Sequence, residues 1–271
     1  MDGRFVLSRS DTGAALSVVS SDYHVVQPKE VLEFYRDLVG SFQYTLETAG
    51  ALNGGRKVWA LAKTGKTTLL HSEKASGTSD EVCAYLLLAT SCDKSLATTI
   101  AFTSIRVVCQ NTLFFAKDDV AKNKRPHLKV PHSVRFDSDE IKKELGLMDR
   151  AWGAFSAKIQ KLTEHHIEDK VALSFFESLL LRKDEKALSS KAQRDLSSIM
   201  SHCESAPGQI LTTAKGTLWG AVNAVTYYVD HVRSGGAGKR LDSAWFGAGS
   251  VLKDRAWAAA CDLVDQPAGI L

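Results

Sequence analysis

The sequence is poor in cysteine and proline, with five of each in 271 residues. The thiols Cys83, Cys92, Cys109, Cys203 and Cys261 are odd in number, scattered, and form no C-x-x-C pair. That pattern argues against a disulfide-stapled scaffold and a structural zinc site, and it suits a reducing compartment. No run approaches the roughly 20 apolar residues that span a bilayer. The opening "MDGRFVLSRSDTG" lacks the apolar core of a secretory signal. A cytoplasmic location without membrane contact is therefore expected. Strong charge is missing as well: the net balance is +3. Total charge thus permits a nucleic-acid partner without requiring one, and its distribution matters more.

What is present is ordinary globular material, 44% hydrophobic and 24% charged, in a chain long enough to bury a sizeable core. "ALSVVS" and "YHVVQ" read as short strands around a turn at Ser20–Asp22. Pro28 opens an amphipathic helix, "PKEVLEFYRDLVG", with Val31, Leu32, Tyr35, Leu38 and Val39 on one face and Gly40 as its stop. "FQYTLETAGAL" and "RKVWALAK" flank Asn53-Gly54-Gly55, a hairpin signal. "VCAYLLLAT" and "SLATTIAFT" form a second pair of strands, so four antiparallel strands are expected in one meander. In "TSIRVVCQNTLFFAK" the spacing of Ile105, Val108, Cys109, Thr112 and Phe115 predicts a helix capped by Thr103 or Ser104. Such a helix would carry Arg106, Gln110 and Lys117 on its polar face.

From Ser138 onward the pattern is helical. A long helix carries Ile141, Leu145, Met148, Trp152, Phe155, Ile159 and Leu162. "VALSFFESLLLR", "GTLWGAVNAVTYYVDHV" and "GSVLKDRAWAAACDLV" follow, with a loop at "SAPG" and a basic, glycine-rich separator "RSGGAGKRLDS". The expected class is α+β: an N-terminal antiparallel meander packed with helices, then a mainly helical half. The division expected is 1–136 and 137–271, either as separate domains or with the latter packed onto the former as one unit.

Three motifs invite catalytic readings. Gly65-Lys66-Thr67 follows an apolar run as in a phosphate loop, but Ala60 stands where that motif needs its first glycine. No helix-length segment follows to face phosphates either, so Lys63 and Lys66 read as solvating a strand end. In "TEHHIED", His165 and Asp169 have an i, i+4 spacing usable by metal ligands, yet no third ligand is identifiable. Cys109 lies among apolar positions and reads as a small core residue rather than a nucleophile. Neither a catalytic residue, nor a metal ligand, nor a cofactor is assigned.

The stretch Ala121–Phe136 carries five Lys or Arg, two His and no acid. Lys122, Lys124, Arg125 and Lys129 belong to it. Together with Arg56, Lys57 and Lys63 of the hairpin, and Arg106 and Gln110 beyond, they could line one phosphate-tracking surface, with Tyr44, Trp59 or Phe102 to stack bases. A solvated loop accounts for the same run of charge.

The blocks "VVSSDYHVVQPKEVLEFYRDLVG", "YTLETAGALNGGRKVWALAK", "YLLLATSCDKSLATTIAFTSIRVVCQNTL" and "GTLWGAVNAVTYYVDH…RLDSAWFGAGSVLKDRA" resemble the phage/plasmid-like family of uncharacterised proteins, over about Leu16 to Ala256. That resemblance implies a mobile-element setting in a bacterial host and no settled activity. The topology is also similar to that of phage single-strand annealing proteins, which hold single-stranded DNA in a basic groove and oligomerise along it. The function expected is therefore single-stranded DNA binding and annealing by a homo-oligomer. The alternatives are a non-enzymatic protein-interaction, host-takeover or defence-related factor of a mobile element, docking a partner through the helical half, and, less favoured, a metal-dependent nuclease.

Overall fold

A computed structural model describes residues 3–42, 44–71, 80–114, 127–133, 148–182 and 184–265. By compactness the chain forms two units. One comprises Met1–Lys66, Cys83–Thr103 and Phe114–Trp152; the other comprises Thr67–Val82, Ser104–Leu113 and Gly153–Leu271. The class is α+β, with antiparallel strands first and helices after.

In the first unit, β1 (Arg4–Ser8) and β2 (Ala15–Ser20) pair as a two-stranded ribbon, Phe5 facing Val19 and Val6 facing Val18. "ALSVVS" is thus a strand, but its partner lies upstream; "YHVVQ" forms none. Helix α1 (Pro28–Phe42) begins at the proline, whose missing N–H costs nothing in a first turn. Glu30 reaches back to accept from the Gln27 backbone N–H at 2.6 Å, half of a capping box. The helix passes Gly40 and buries Val31, Phe34 and Tyr35, while Leu32 stays exposed.

The main sheet has the order β3-β4-β5-β6-β7, with β8 beside β6. Its strands are β3 (Thr45–Leu52), β4 (Lys57–Leu70), β5 (Asp80–Ser91), β6 (Thr98–Arg106), β7 (Asn111–Phe114) and β8 (His127–Val130). The expected Asn-Gly hairpin joins β3 to β4 through a 3-10 turn at Asn53–Gly55. Ala60, Ala62, Leu86, Leu88 and Ile100 form a core with Val31, Phe34 and Tyr35 of α1. The Tyr35 hydroxyl lies 2.8 Å from the Ala60 carbonyl and 3.0 Å from that of Leu86, so its one buried donor is satisfied. On the other face Trp59 pairs with Gly50, and its ring occupies the space a β-carbon at 50 would need.

The helix predicted from 103 is not formed over the described residues 103–114. β6 continues through Arg106, the chain turns with Gln110 at φ +54°, and Asn111–Phe114 return as β7. Ser104 therefore caps nothing; its hydroxyl donates to the Leu113 carbonyl across the hairpin at 3.0 Å.

The second unit is built mainly from helices. They are α2 (Met148–Glu164), α3 (Asp169–Leu180), α4 (Ser190–Ser205), α5 (Leu218–Tyr227), α6 (Ala237–Phe246) and α7 (Ala248–Asp265). The start expected for α2 at Ser138 lies outside the described residues. Phe155, Ile159 and Leu162 are buried as its spacing predicts, and Phe155 packs on Trp257 at 4.9 Å. Two helices were not legible. α4 is serine-rich and offers a thin apolar stripe ending in buried Ile199. α6 occupies part of the supposed separator because Ala244 and Trp245 are buried. α5 opens with Thr217, whose hydroxyl accepts from the Gly220 N–H at 3.1 Å, and continues into a π turn over Tyr228–Val232.

A β-carbon at Gly220 would stand 1.9 Å from the Ala214 carbonyl oxygen. Gly220→Ala should therefore destabilise by ~3 kcal/mol or more through overpacking against backbone. In an open helix the same change would stabilise by roughly 1 kcal/mol. Thermal denaturation followed by circular dichroism decides between the two signs.

Candidate functional site

The cations named by the sequence do not share one environment. Within the first unit, Arg56 is exposed and its carbonyl accepts from Cys92 N at 2.7 Å. Lys57 is buried, and Lys63 is half-buried. Alternation along β4 sets Lys57 and Lys63 on the face opposite Ala60 and Ala62, hence opposite α1. Lys129 of β8 is exposed and pairs with Thr99; it lies on that same side, since Val130 packs on the α1 core. Lys122, Lys124 and Arg125 lie outside the described residues. Gly65-Lys66-Thr67 lies within β4, which runs on as strand to Leu70, so no helix N-terminus follows it.

In the second unit, Gln110 is exposed at the turn, whereas Arg106 is only 2% exposed. Its Nε and Nη2 each donate to the Asp80 carboxylate at 2.7 Å, and Nη2 also donates to Gly208 O at 3.0 Å. Asp80 further accepts from the Thr213 hydroxyl at 2.6 Å, and the guanidinium lies 5.7 Å from the Trp219 ring centre. This bidentate pair is committed to the fold and unavailable to a polyanion.

A second buried pair stands beyond the turn. Lys253 Nζ donates to Thr112 O, Thr112 Oγ1 and Asp230 Oδ1, each at 2.8 Å, which uses all three of its protons. Asp230 Oδ2 accepts from both the N–H and hydroxyl of Thr112 at 2.7 and 2.9 Å. Asn111 Nδ2 adds a bond to Asn223 O at 3.1 Å. The β6–β7 hairpin is thus tied to the π turn and α7 by charged hydrogen bonds and to α5 by a neutral amide bond. Reading the sequence for cations missed Asp80, Asp230 and Lys253. One signal was available: Gly249, Lys253, Ala256 and Ala260 share one helical stripe, and all are buried.

The other chemical candidates separate. α2 ends at Glu164 and α3 begins at Asp169, so His165 and Asp169 do not share a helix as supposed. His166 instead bridges to Thr217. Among the described residues, no cluster of three His, Cys, Asp or Glu is placed to hold a metal. Burial raises the Cys109 thiol and pushes Cys203 and Cys261 up to about 12, which keeps them protonated.

A cleft of about 270 Å3 lies inside the second unit. Its walls come from the end of α3, the start of α4, Arg233 after the π turn, and the first half of α7. Arg182, Lys191, Arg233 and Arg255 line it alongside Glu185 and Asp195.

The model of a domain of unknown function, DUF932, matches residues 15–255, and the chain belongs to that family. Neither curated proteins nor solved structures give a match.

The buried pair generates a stability prediction. Asp80→Ala should cost about 3–5 kcal/mol by stranding the Arg106 charge, while Asp80→Leu with Arg106→Met should recover much of that loss. Urea denaturation of the wild type and both variants measures it. A second prediction concerns pH. His231 is held below its ordinary value of 6.5, chiefly by burial, against the Asp230 charge and a bond with the Cys109 backbone. Its Nε2 is buried without a hydrogen-bond partner. The unfolded chain therefore takes the proton first: this contribution to stability is intact above 6.5 and lost as pH falls through the depressed folded value. His231→Phe should flatten the fall in urea midpoint between about pH 7 and about pH 5.

Proposed function

We propose that this DUF932 member binds single-stranded nucleic acid, DNA of a phage or plasmid, and promotes annealing of complementary strands by holding phosphates rather than by making or breaking bonds. The observation carrying this reading is the acid-free stretch 121–136, with its five Lys or Arg. Its segment His127–Val130 is hydrogen-bonded beside β6 with Lys129 exposed. A flexible polyanion gains most from cations anchored to a rigid sheet, because less ordering entropy opposes binding. Exposed Arg56 adds a further positive group in the same unit. Annealing also asks for subunits repeating along a strand, so a homo-oligomer in the cytoplasm of a bacterial host belongs to the proposal.

A second reading, docking of a protein partner, is favoured by the β1–β2 ribbon, where Phe5, Val6 and Val18 are 58%, 64% and 52% exposed. An exposed apolar strand pair is a surface that another chain covers readily.

Fluorescence anisotropy with a labelled oligonucleotide across a salt series tests the first reading. Binding should weaken steeply with salt. Replacing Lys122, Lys124, Arg125 and Lys129 by Ala should lower the slope by roughly 0.7 per lost phosphate contact. Phe5→Ser with Val18→Ser should leave that binding intact. No binding at low salt sinks the proposal, as does a slope indifferent to the four replacements.

A further inference from the structure

We propose that the cleft of the second unit is a binding site for a small phosphorylated ligand with a flat apolar body, the chemistry of a nucleotide. This site is independent of the nucleic-acid surface proposed above and shares no residue with it. The cleft, about 270 Å3, falls just below the usual range of ligand sites (roughly 300–1,000 Å3), which suits one compact molecule rather than a peptide or a strand.

Its charge is unbalanced. Of its two acids, Glu185 is paired with Arg182 at 3.7 Å, while Asp195, beside the Tyr228 hydroxyl, keeps its charge in the wall and is outnumbered by the cations. Lys191, Arg233 and Arg255 have no carboxylate at ion-pair distance among the described residues, and Arg255 spends one N–H on Ser178 O at 3.1 Å. Arg233 is half-buried, and its Nη1 is enclosed with no hydrogen-bond partner. An anion in the cleft would supply the missing charge. Ser189, at the N-cap of the 16-residue α4, also lines the cleft, so the positive end of that helix dipole adds to the field.

The rest of the wall is apolar, with Leu179, Val251 and Leu252 contributing. A phosphate alone has no use for such a wall. A nucleobase does, because its faces are apolar while its phosphate meets the cations. Three cations with one apolar wall therefore select a phosphomonoester carrying a planar ring over a bare anion or a neutral nucleoside.

Isothermal titration of the full chain with AMP, adenosine and inorganic phosphate tests the proposal. AMP should bind at least tenfold more tightly than either fragment. Lys191→Ala with Arg255→Ala, both at exposed positions, should weaken AMP at least tenfold while leaving the melting temperature unchanged. Val251→Asp, at a position 42% exposed, should weaken AMP by placing an acid in the wall. Inorganic phosphate binding as tightly as AMP would overturn the nucleotide assignment. Absence of AMP binding at millimolar concentration would overturn the site, and AMP binding unaffected by the Lys191 and Arg255 replacements would overturn this location for it. Because no residue tested here belongs to the stretch 121–136 or to the sheet, oligonucleotide binding should persist in both variants, which separates this outcome from the fate of the annealing proposal.

Discussion

The pairing of Asp80 with Arg106 is the constraint on which the second unit turns. Both side chains are almost wholly withdrawn from water, and a charge so withdrawn is tolerated only with a well-placed opposite charge and further hydrogen bonds. Thr213 and the Gly208 carbonyl supply those bonds, so the segment leading into α5 has one position at which both charges are satisfied. Gly208 adopts φ +81°, and a β-carbon there would come within 2.5 Å of Val108. The close approach of this loop to the β6–β7 turn is therefore built on an absent side chain as much as on a charged pair. Lys253 and Asp230 repeat the arrangement beyond the turn, with Thr112 between them.

These pairs change what the cations of this region mean. Arg106 looks from its neighbours like a surface group available to phosphates, and it is instead an internal strut. Two sets of cations, each within one compact unit, stand apart from these struts: exposed Arg56 and Lys129, and the cleft cations Lys191, Arg233 and Arg255. On the reading proposed above, the first set suits a chain of phosphates. The second converges on a bounded space and suits one.

The misread segment 103–117 shows why periodicity is a weak guide where a strand turns back. Ile105, Val108, Cys109 and Thr112 have helical spacing, but Cys109 is buried within the turn and Thr112 within β7, each by a different neighbour. Val108, which would have faced the core of a helix, is 40% exposed. Hairpin pairing satisfies the backbone of this segment across strands, and the bonds of Thr112 to Lys253 and of Asn111 to Asn223 then hold it there. No window along the chain contains those partners.

Local chemistry alone determined the proline-started α1, the Asn-Gly hairpin of β3 and β4, the strands β5 and β6, and the apolar faces of α2, α3, α5 and α7. Each depends on residues within a few positions of one another, through a preset φ, a turn glycine or a recurring apolar stripe. Tertiary structure decided the β6–β7 hairpin, the serine-rich α4 and the fate of every buried charge. Asp80 and Arg106 are 26 residues apart, and Lys253 and Thr112 are 141 apart. Whether a charged side chain ends as a strut or as a ligand contact is set by the opposite charge that folding brings to it, and sequence neighbours carry no record of that meeting.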